Sequence, residues 1–137
     1  MIEIIPFDIE KIKDFVYDGV DKEISGQDIK DIAEYYSTIG EAYIGYADGK
    51  VIGVGGFFKL WRNWGSAWLF LNKEASNYKK SVFKEIVQRL NNFIKTNEIK
   101  TMTVECLDQS MEANRLLNHL GFVKSKEIKL ALYGRKI

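Results

Sequence analysis

The sequence predicts a single α/β domain, residues 1–137, built on a mixed β-sheet that carries helices on both faces. Three observations lead to this class: the turn signal Asp48-Gly49 between two strand-like runs, an apolar run at residues 67–71, and a helical apolar stripe that precedes a further strand. The expected element order is β-α-α-β-β-β-α-β-α-β-β. A meander followed by a β-α-β unit gives a mixed sheet with both faces covered.

The first part of the chain predicts one short strand and two helices. The strand covers residues 2–5 and stops at Pro6, which cannot donate a ladder hydrogen bond. Apolar residues at helical spacing then predict a first helix that Gly19 closes: Ile9, Ile12, Phe15 and Val16. A second helix has a weaker apolar face: Ile29, Ile32, Ala33 and Tyr36.

The middle of the chain predicts three strands in a meander. Residues 42–47 are rich in aromatic and β-branched side chains, and Asp48-Gly49 suits a primed turn because glycine tolerates positive φ. Residues 51–60 return as the next strand. Three glycines in that strand predict close backbone approach or a bulge: Gly53, Gly55 and Gly56. After a turn at residues 61–65, the run 67–71 is apolar on both faces, as expected of a central strand.

The last part predicts two helices and three strands. The first helix shows one continuous apolar stripe: Val82, Phe83, Ile86, Val87, Leu90, Phe93 and Ile94. Alternation at Met102, Val104 and Cys106 indicates a strand. A fourth helix ends at Gly121 and has its own apolar positions: Ala113, Leu116, Leu117 and Leu120. Residues 123–128 and 129–133 are expected to close the sheet as an antiparallel pair.

Composition excludes several classes of function. Twenty Lys and Arg residues against nineteen Asp and Glu give a formal charge of +1, which lacks the basic excess of nucleic-acid-binding proteins. One cysteine and one histidine are too few for a zinc site built from those ligands. No run approaches the length of a membrane span, and the first residues do not resemble a signal peptide. Together with the single thiol, this predicts a cytoplasmic protein without membrane or nucleic-acid partners.

Two segments resemble the GNAT superfamily of acetyl-CoA-dependent N-acetyltransferases. The family's strand–helix signature runs L-E-V, N, A, Y and G-F, and the matching residues keep its spacing without gaps: Val104-Glu105-Cys106, Ser110, Ala113 and Leu120-Gly121-Phe122. The hairpin at residues 43–55 is similar to the family's D-G-x-x-V-G strand pair. The resemblance spans the whole chain. It implies the GNAT acyl-CoA N-acyltransferase-like fold, acetyl-CoA as co-substrate and an unknown amine acceptor.

The chain departs from the family at the loop that binds the cofactor pyrophosphate. That loop reads roughly R/Q-G-x-G-x-G/A in the family, whereas residues 76–81 contain no glycine. Either Ser76 or Asn77 is expected to cap the following helix. Lys79 and Lys80 are expected to supply charge in place of close backbone approach, or else to be solvated in the first helical turn. The resemblance assigns cofactor binding to this segment: Asn77, Tyr78, Lys79, Lys80 and Ser81.

Two further positions of the signature also depart from the family. Ser110 stands at the family's asparagine, and Asn114 lies one helical turn further on as a substitute, so both are assigned to cofactor binding. Leu117 stands at the family's tyrosine, which is proposed to protonate the leaving thiolate, and leucine cannot donate a proton. These departures resemble acetyltransferase-like proteins encoded by tailed phages.

The resemblance also assigns the chemistry of acyl transfer. Backbone N–H groups near Phe70, Leu71 and Asn72 are expected to stabilise the oxyanion beside the bound thioester. Glu105 is the candidate base, with a solvated strand residue or a partner for a lysine as the alternative interpretation. We expect Cys106 to be a small buried hydrophobe and His119 to be an exposed side chain.

Two functions remain open at this point. The first is an N-acetyltransferase that uses acetyl-CoA. The second is an inactive binding or structural protein that kept the fold, as in the phage-encoded group, because fold does not imply function. Trp68 is expected in the core. Trp61 and Trp64 are expected to cover the end of the sheet; in the alternative they are exposed and form a partner surface, such as a homodimer contact.

Overall fold

The computed structural model describes residues 2–17, 26–107, 115, 117, 118, 123–126 and 130–136. The elements follow the predicted order: β1 Ile2–Pro6, α1 Ile9–Ile12, α2 Gly26–Ser37, β2 Gly40–Ala47, β3 Lys50–Trp61, β4 Trp64–Leu71, a 3₁₀ helix Lys73–Tyr78, α3 Lys79–Thr96, β5 Thr101–Leu107, β6 Val123–Lys126 and β7 Leu130–Lys136. Of the predicted fourth helix, residues 115, 117 and 118 are described, in helical conformation. No helix in these ranges has the length and apolar character needed to cross a lipid bilayer.

The strands form one mixed sheet of seven strands in the order β1-β2-β3-β4-β5-β7-β6. The β4–β5 pair is parallel and the other neighbouring pairs are antiparallel. Strand β4 lies in the middle of this order, which confirms the prediction from its two apolar faces. The mixed α/β class expected from the sequence is therefore the observed class.

The first helix is shorter than the sequence predicts. The expected helix extended through Val16, but α1 ends at Ile12 and the chain continues in tighter turns, in which Phe15 N donates to Ile12 O over 3.0 Å. These turns still bury Phe15, which is 2% exposed, while Val16 is 71% exposed. Apolar spacing alone could not separate one long helix from a short helix followed by tight turns. The expected stop at Gly19 lies outside the described residues.

The β2–β3 hairpin has the turn that its sequence predicts. Asp48 and Gly49 both have positive φ, 50° and 77°, as a primed two-residue turn requires. The backbones of β3 and β4 approach closely at the glycines of β3, as predicted. A Cβ on Gly55 would lie only 2.8 Å from the carbonyl oxygen of Trp68. The register shift between β2 and β3 falls at Gly45/Tyr46 of β2.

Each face of the sheet carries its own core. Helices α1 and α2 cover one face in a single continuous cluster: Ile12, Phe15, Ile29, Ala33, Ala42, Ile44, Val51, Val54, Phe58, Trp68 and Phe70. Helix α3 covers the other face over two separate clusters. We name the first the Phe93 cluster: Phe57, Ala67, Leu90, Phe93, Ile99, Met102, Val104 and Leu117. The second is the Val82 cluster: Ala47, Ile52, Leu71, Ala75 and Val82.

The three tryptophans divide between core and surface. Trp68 is 2% exposed, which confirms its predicted place in the core. Trp61 and Trp64, which flank the β3–β4 turn, are 68% and 40% exposed. Both side chains are therefore exposed beside the turn, as in the alternative interpretation.

Candidate functional site

Strands β4 and β5 separate before either strand ends. Their parallel pairing runs from Trp64 opposite Thr101 to Trp68 opposite Glu105, while β4 continues to Leu71 and β5 to Leu107. Residues 69–71 of β4 and 106–107 of β5 thus lie beyond the last paired rung, and we call this opening the β4–β5 fork. Open α/β sheets bind ligands at the carboxyl ends of their strands, which is where the fork lies.

The backbone of β4 offers hydrogen-bonding groups to this fork. The N–H of Asn72 donates to Ile52 O on the β3 side over 3.0 Å. Because hydrogen-bonding direction alternates along an antiparallel strand, Phe70 also faces β3, and Leu71 directs its N–H and C=O to the opposite side. That side is the fork. Of the three backbone positions predicted from the sequence, the geometry therefore brings Leu71 to the fork and uses Phe70 and Asn72 within the sheet.

The side chain of Asn72 links the end of β4 to two other segments. Its Nδ2 donates to Val51 O over 3.1 Å and to Val16 O over 3.5 Å, and the residue is 8% exposed. The Oδ1 atom is also buried and accepts no hydrogen bond from any group in the described part of the chain. Asn72 therefore connects the end of β4 to two other segments through Nδ2, while its Oδ1 accepts no hydrogen bond within the described residues.

The segment assigned to the pyrophosphate loop is helical throughout. The 3₁₀ helix ends at Tyr78, and α3 begins at Lys79 with Tyr78 as its N-cap and no side-chain capping hydrogen bond. The prediction that Ser76 or Asn77 caps this helix is wrong. The hydroxyl of Ser76 donates instead to Lys73 O over 2.8 Å, within the 3₁₀ helix, and Asn77 is exposed. Both residues lie within the 3₁₀ helix, which ends at Tyr78, so neither occupies the cap position.

The side chain of Tyr78 contacts the β2–β3 turn instead of capping its own helix. Its hydroxyl donates to Asp48 Oδ2 in the β2–β3 turn over 2.6 Å. This hydrogen bond, with a smaller contribution from desolvation, raises the pKa of the Tyr78 phenol above its ordinary value. Tyr78 thereby connects the start of α3 to the hairpin turn.

The start of α3 is a positively polarised end of the molecule. Lys79 and Lys80 are its first two residues and both are exposed, while Ser81 is half-buried. The first N–H groups of a helix have no partners within the helix, and the helix dipole places partial positive charge there. The two lysines and the helix dipole therefore favour an anion at the start of α3, close in sequence to the carboxyl end of β4.

Of the remaining predicted site residues, the structure describes some and leaves others outside the described ranges. The Cα of Glu105 lies opposite that of Trp68 at the last paired rung, directly before the fork. Leu117, at the family's tyrosine position, is 2% exposed and packs in the Phe93 cluster, so this position offers no proton donor. Ser110, Asn114 and His119 lie outside the described residues, as does the side chain of Cys106.

Comparisons with known proteins identify the fold. No family model matches the chain, and no curated protein matches its sequence. Among solved structures, the chain is similar to a GNAT-family acetyltransferase from Staphylococcus aureus Mu50, with 18% identity, 99% of each chain covered and a TM-score of 0.69. The IAA acetyltransferase from Bacillus cereus ATCC 14579 shows 14% identity, full coverage of both chains (100% and 100%) and a TM-score of 0.66.

A third neighbour carries a ligand. It is a GNAT-family acetyltransferase from Elizabethkingia anophelis with acetyl-CoA bound, at 14% identity, covering 99% of this chain and 98% of that chain, with a TM-score of 0.64. This chain therefore has the GNAT acetyltransferase fold, which confirms the fold that the resemblance implied. At these identities the likeness shows the fold alone, and the chemistry depends on the residues of this chain.

Proposed function

We propose that this GNAT-fold chain is an N-acyltransferase that transfers an acyl group, acetyl in the simplest case, from coenzyme A to an amine acceptor. The β4–β5 fork is the observation that carries the proposal. Regular parallel pairing to the ends of both strands would leave no backbone group for a ligand, whereas here the N–H and C=O of Leu71 face the opening. An extended ligand can hydrogen-bond there as a strand would.

The residues at the start of α3 fit an acidic cofactor through charge. Lys79 and Lys80 would hold the pyrophosphate together with the first N–H groups of the helix, beside Asn77, Tyr78 and Ser81. The segment lacks the family's glycines, so we propose a divergent loop in which lysine side chains replace close backbone approach. Ser110 and Asn114 remain proposed contacts of the same cofactor.

The proposed chemistry needs a base and an oxyanion donor. Bound acetyl-CoA supplies the thioester. In this proposal the N–H of Leu71 donates to the carbonyl oxygen as negative charge develops on it. Glu105, at the last rung before the fork, accepts the proton of the amine directly or through water. With leucine at position 117, solvent supplies the proton to the thiolate. We place the reaction in the cytoplasm, since a lone cysteine suits a reducing compartment.

Isothermal titration of acetyl-CoA into the purified protein tests the proposal. We expect saturable binding in the micromolar range that Lys79→Ala/Lys80→Ala weakens by about tenfold or more, because two charge-assisted contacts are lost. The matched control is Lys84→Ala/Lys95→Ala, which removes the same charge from exposed positions further along α3. Absence of binding at millimolar acetyl-CoA would overturn the proposed function, and equal weakening in both variants would remove the lysines from the site.

The exposed tryptophans favour a second candidate, a binding protein without catalysis. Trp61 and Trp64 lie beside Leu60, which is 49% exposed, and the guanidinium of Arg62 lies 5.9 Å from the Trp61 ring centroid. Exposed apolar side chains grouped in this way are typical of contact surfaces, here of a homodimer. This candidate predicts a dimer in sedimentation that Trp61→Ser/Trp64→Ser converts to a monomer, with no affinity for acetyl-CoA. A monomeric wild-type protein would remove it.

A further inference from the structure

The floor beneath α3 is built from glycines. Gly45 on β2 pairs with Gly53 on β3, and Gly55 follows two residues later on the same face. Strand residues that face a covering helix normally carry side chains that fill the space between the two layers. A Cβ at Gly53 would lie 2.6 Å from Leu71 Cδ2. One at Gly55 would lie 3.2 Å from Leu69 Cδ1, so these two leucines cover the glycine backbone. A Cβ at Gly45 would meet no atom closer than 3.4 Å, so the space between the layers is open there.

The core on this face is divided above the glycine floor. The Phe93 cluster and the Val82 cluster share no buried residue, and the half-buried side chain of Leu69 packs against both. A cavity of about 810 Å³, including its open mouth, lies between α3 and strands β1 to β5. The opposite face of the sheet has a single continuous cluster instead.

The cavity is apolar, and its polar rim is already satisfied. Arg89 forms an ion pair with Glu85, and its guanidinium lies 5.2 Å from the ring centroid of Tyr43. The Tyr43 hydroxyl donates to Glu41 Oε1 over 2.7 Å. Because the two charged residues that line the cavity, Arg89 and Glu85, pair with each other, the cavity favours an uncharged hydrocarbon over an acid or an amine.

One end of the cavity lies at the β4–β5 fork. Leu69 and Leu71 of β4 line it, together with Val104, the β5 residue directly before Glu105. An apolar group attached to a ligand in the fork can therefore extend between α3 and the sheet without crossing a strand. The cavity then continues under β3 and β2 to Ile2 and Ile4 of β1.

We infer that this cavity holds the acyl chain of the donor, and that the donor is an acyl thioester with a hydrocarbon chain longer than acetyl. The inference rests on the proposed function. In the transfer, the amine nitrogen forms the amide bond to the acyl carbonyl carbon and the carbon–sulfur bond breaks. The amine proton passes to the base, and the thiolate leaves with the coenzyme. The cavity acts on chain length and leaves these steps unchanged.

A chain-length series measures this directly. We expect octanoyl-CoA to bind the wild-type protein at least about tenfold more tightly than acetyl-CoA in calorimetry. Each additional methylene that the cavity buries strengthens binding by up to about fourfold. Equal affinity for acetyl-, butyryl-, octanoyl- and dodecanoyl-CoA would overturn the inference while leaving the coenzyme site intact. Absence of binding by every CoA thioester would instead overturn the proposed function itself.

Gly45→Leu provides the matching variant. A Cβ at Gly45 would lie 3.4 Å from Ile4 Cδ1 and 3.8 Å from Ile52 Cγ1, so a side chain can be added there without a clash. Gly45 lies two strands from β4, about 10 Å at the usual strand spacing. The leucine should therefore remove the advantage of dodecanoyl-CoA, leave butyryl-CoA unaffected and lower the longest chain accepted. Gly45→Ala, the control, should keep most of the wild-type preference; a uniform loss across all chain lengths in Gly45→Leu would contradict the assignment.

Discussion

Tyr78, the residue before α3, donates its hydroxyl to Asp48 in the β2–β3 turn, thirty residues earlier in the chain, over 2.6 Å. Asp48 has φ 50°, a conformation that asparagine and aspartate tolerate better than other side chains. This hydrogen bond connects the start of α3, where we propose that the cofactor binds, to a tight hairpin turn. Local sequence patterns could not have joined these two residues.

Asp48→Asn tests whether the carboxylate sets the pKa of Tyr78. The hydrogen bond to the Asp48 carboxylate is the main cause of the raised pKa, and asparagine keeps the turn conformation but offers only a weaker, neutral acceptor, so the pKa of Tyr78 should fall towards its ordinary value. Because the raised pKa means that the contact favours the neutral phenol, its contribution is present below the unfolded pKa and is lost as pH rises through the folded value. Ultraviolet titration of tyrosinate, with Tyr78→Phe to identify the signal, measures the change. A Tyr78 pKa that does not move in Asp48→Asn would contradict the role of the carboxylate.

The raised pKa of Tyr43 predicts that the protein loses stability at alkaline pH. Burial, followed by the hydrogen bond and the charge of Glu41, raises the pKa of Tyr43 from 10.0 to about 12, against an opposing effect of Arg89. Between these values the unfolded chain has lost a proton that the folded protein keeps, so the free energy of unfolding decreases as pH rises from 10.0 to about 12. Urea denaturation at several pH values should show a shallower decrease in Tyr43→Phe. Parallel curves for the two proteins would show that another group causes the loss.

Gly49→Ala should destabilise the protein by about 1 kcal/mol, since a side chain at positive φ is strained. Gly49 has φ 77°, and a Cβ there would meet no atom within 4 Å, so backbone conformation alone determines the cost. Urea denaturation measures it. Gly45→Ala makes the same chemical change in a strand at ordinary φ, and it should cost clearly less; an equal cost for both would mean that strain at the turn is not the reason.

Glu105→Gln should slow acyl transfer by about a hundredfold or more, because general-base catalysis typically contributes at least that much. The affinity for acetyl-CoA should remain unchanged, since the proposed role concerns the amine proton. Steady-state kinetics and calorimetry on the same preparation separate the two effects. Glu3→Gln, an exposed residue of the edge strand β1, is the control of equal charge change. Full activity in Glu105→Gln would assign the base to another group.

Local patterns predicted most of the elements because each pattern reports chemistry within a few residues. The apolar stripe from Val82 to Ile94 lies within α3, and the Asp48-Gly49 signal produced the primed turn. The same patterns failed where the answer depended on distant packing. Helix α1 ends at Ile12 although the periodicity continues to Val16, because tight turns bury Phe15 just as well as a continued helix would.

The sequence by itself determined the fold class, the order of the elements and the likeness to GNAT acetyltransferases, since periodicity, turn residues and motif spacing are properties of neighbouring positions. Tertiary structure alone decided where β4 and β5 part, which places Leu71 at the fork, and how Gly45 and Gly53 meet beneath α3. Strand register and the spacing between layers arise from contacts between distant segments. The fork and the cavity, on which the proposed chemistry depends, therefore exist only once the sheet is assembled.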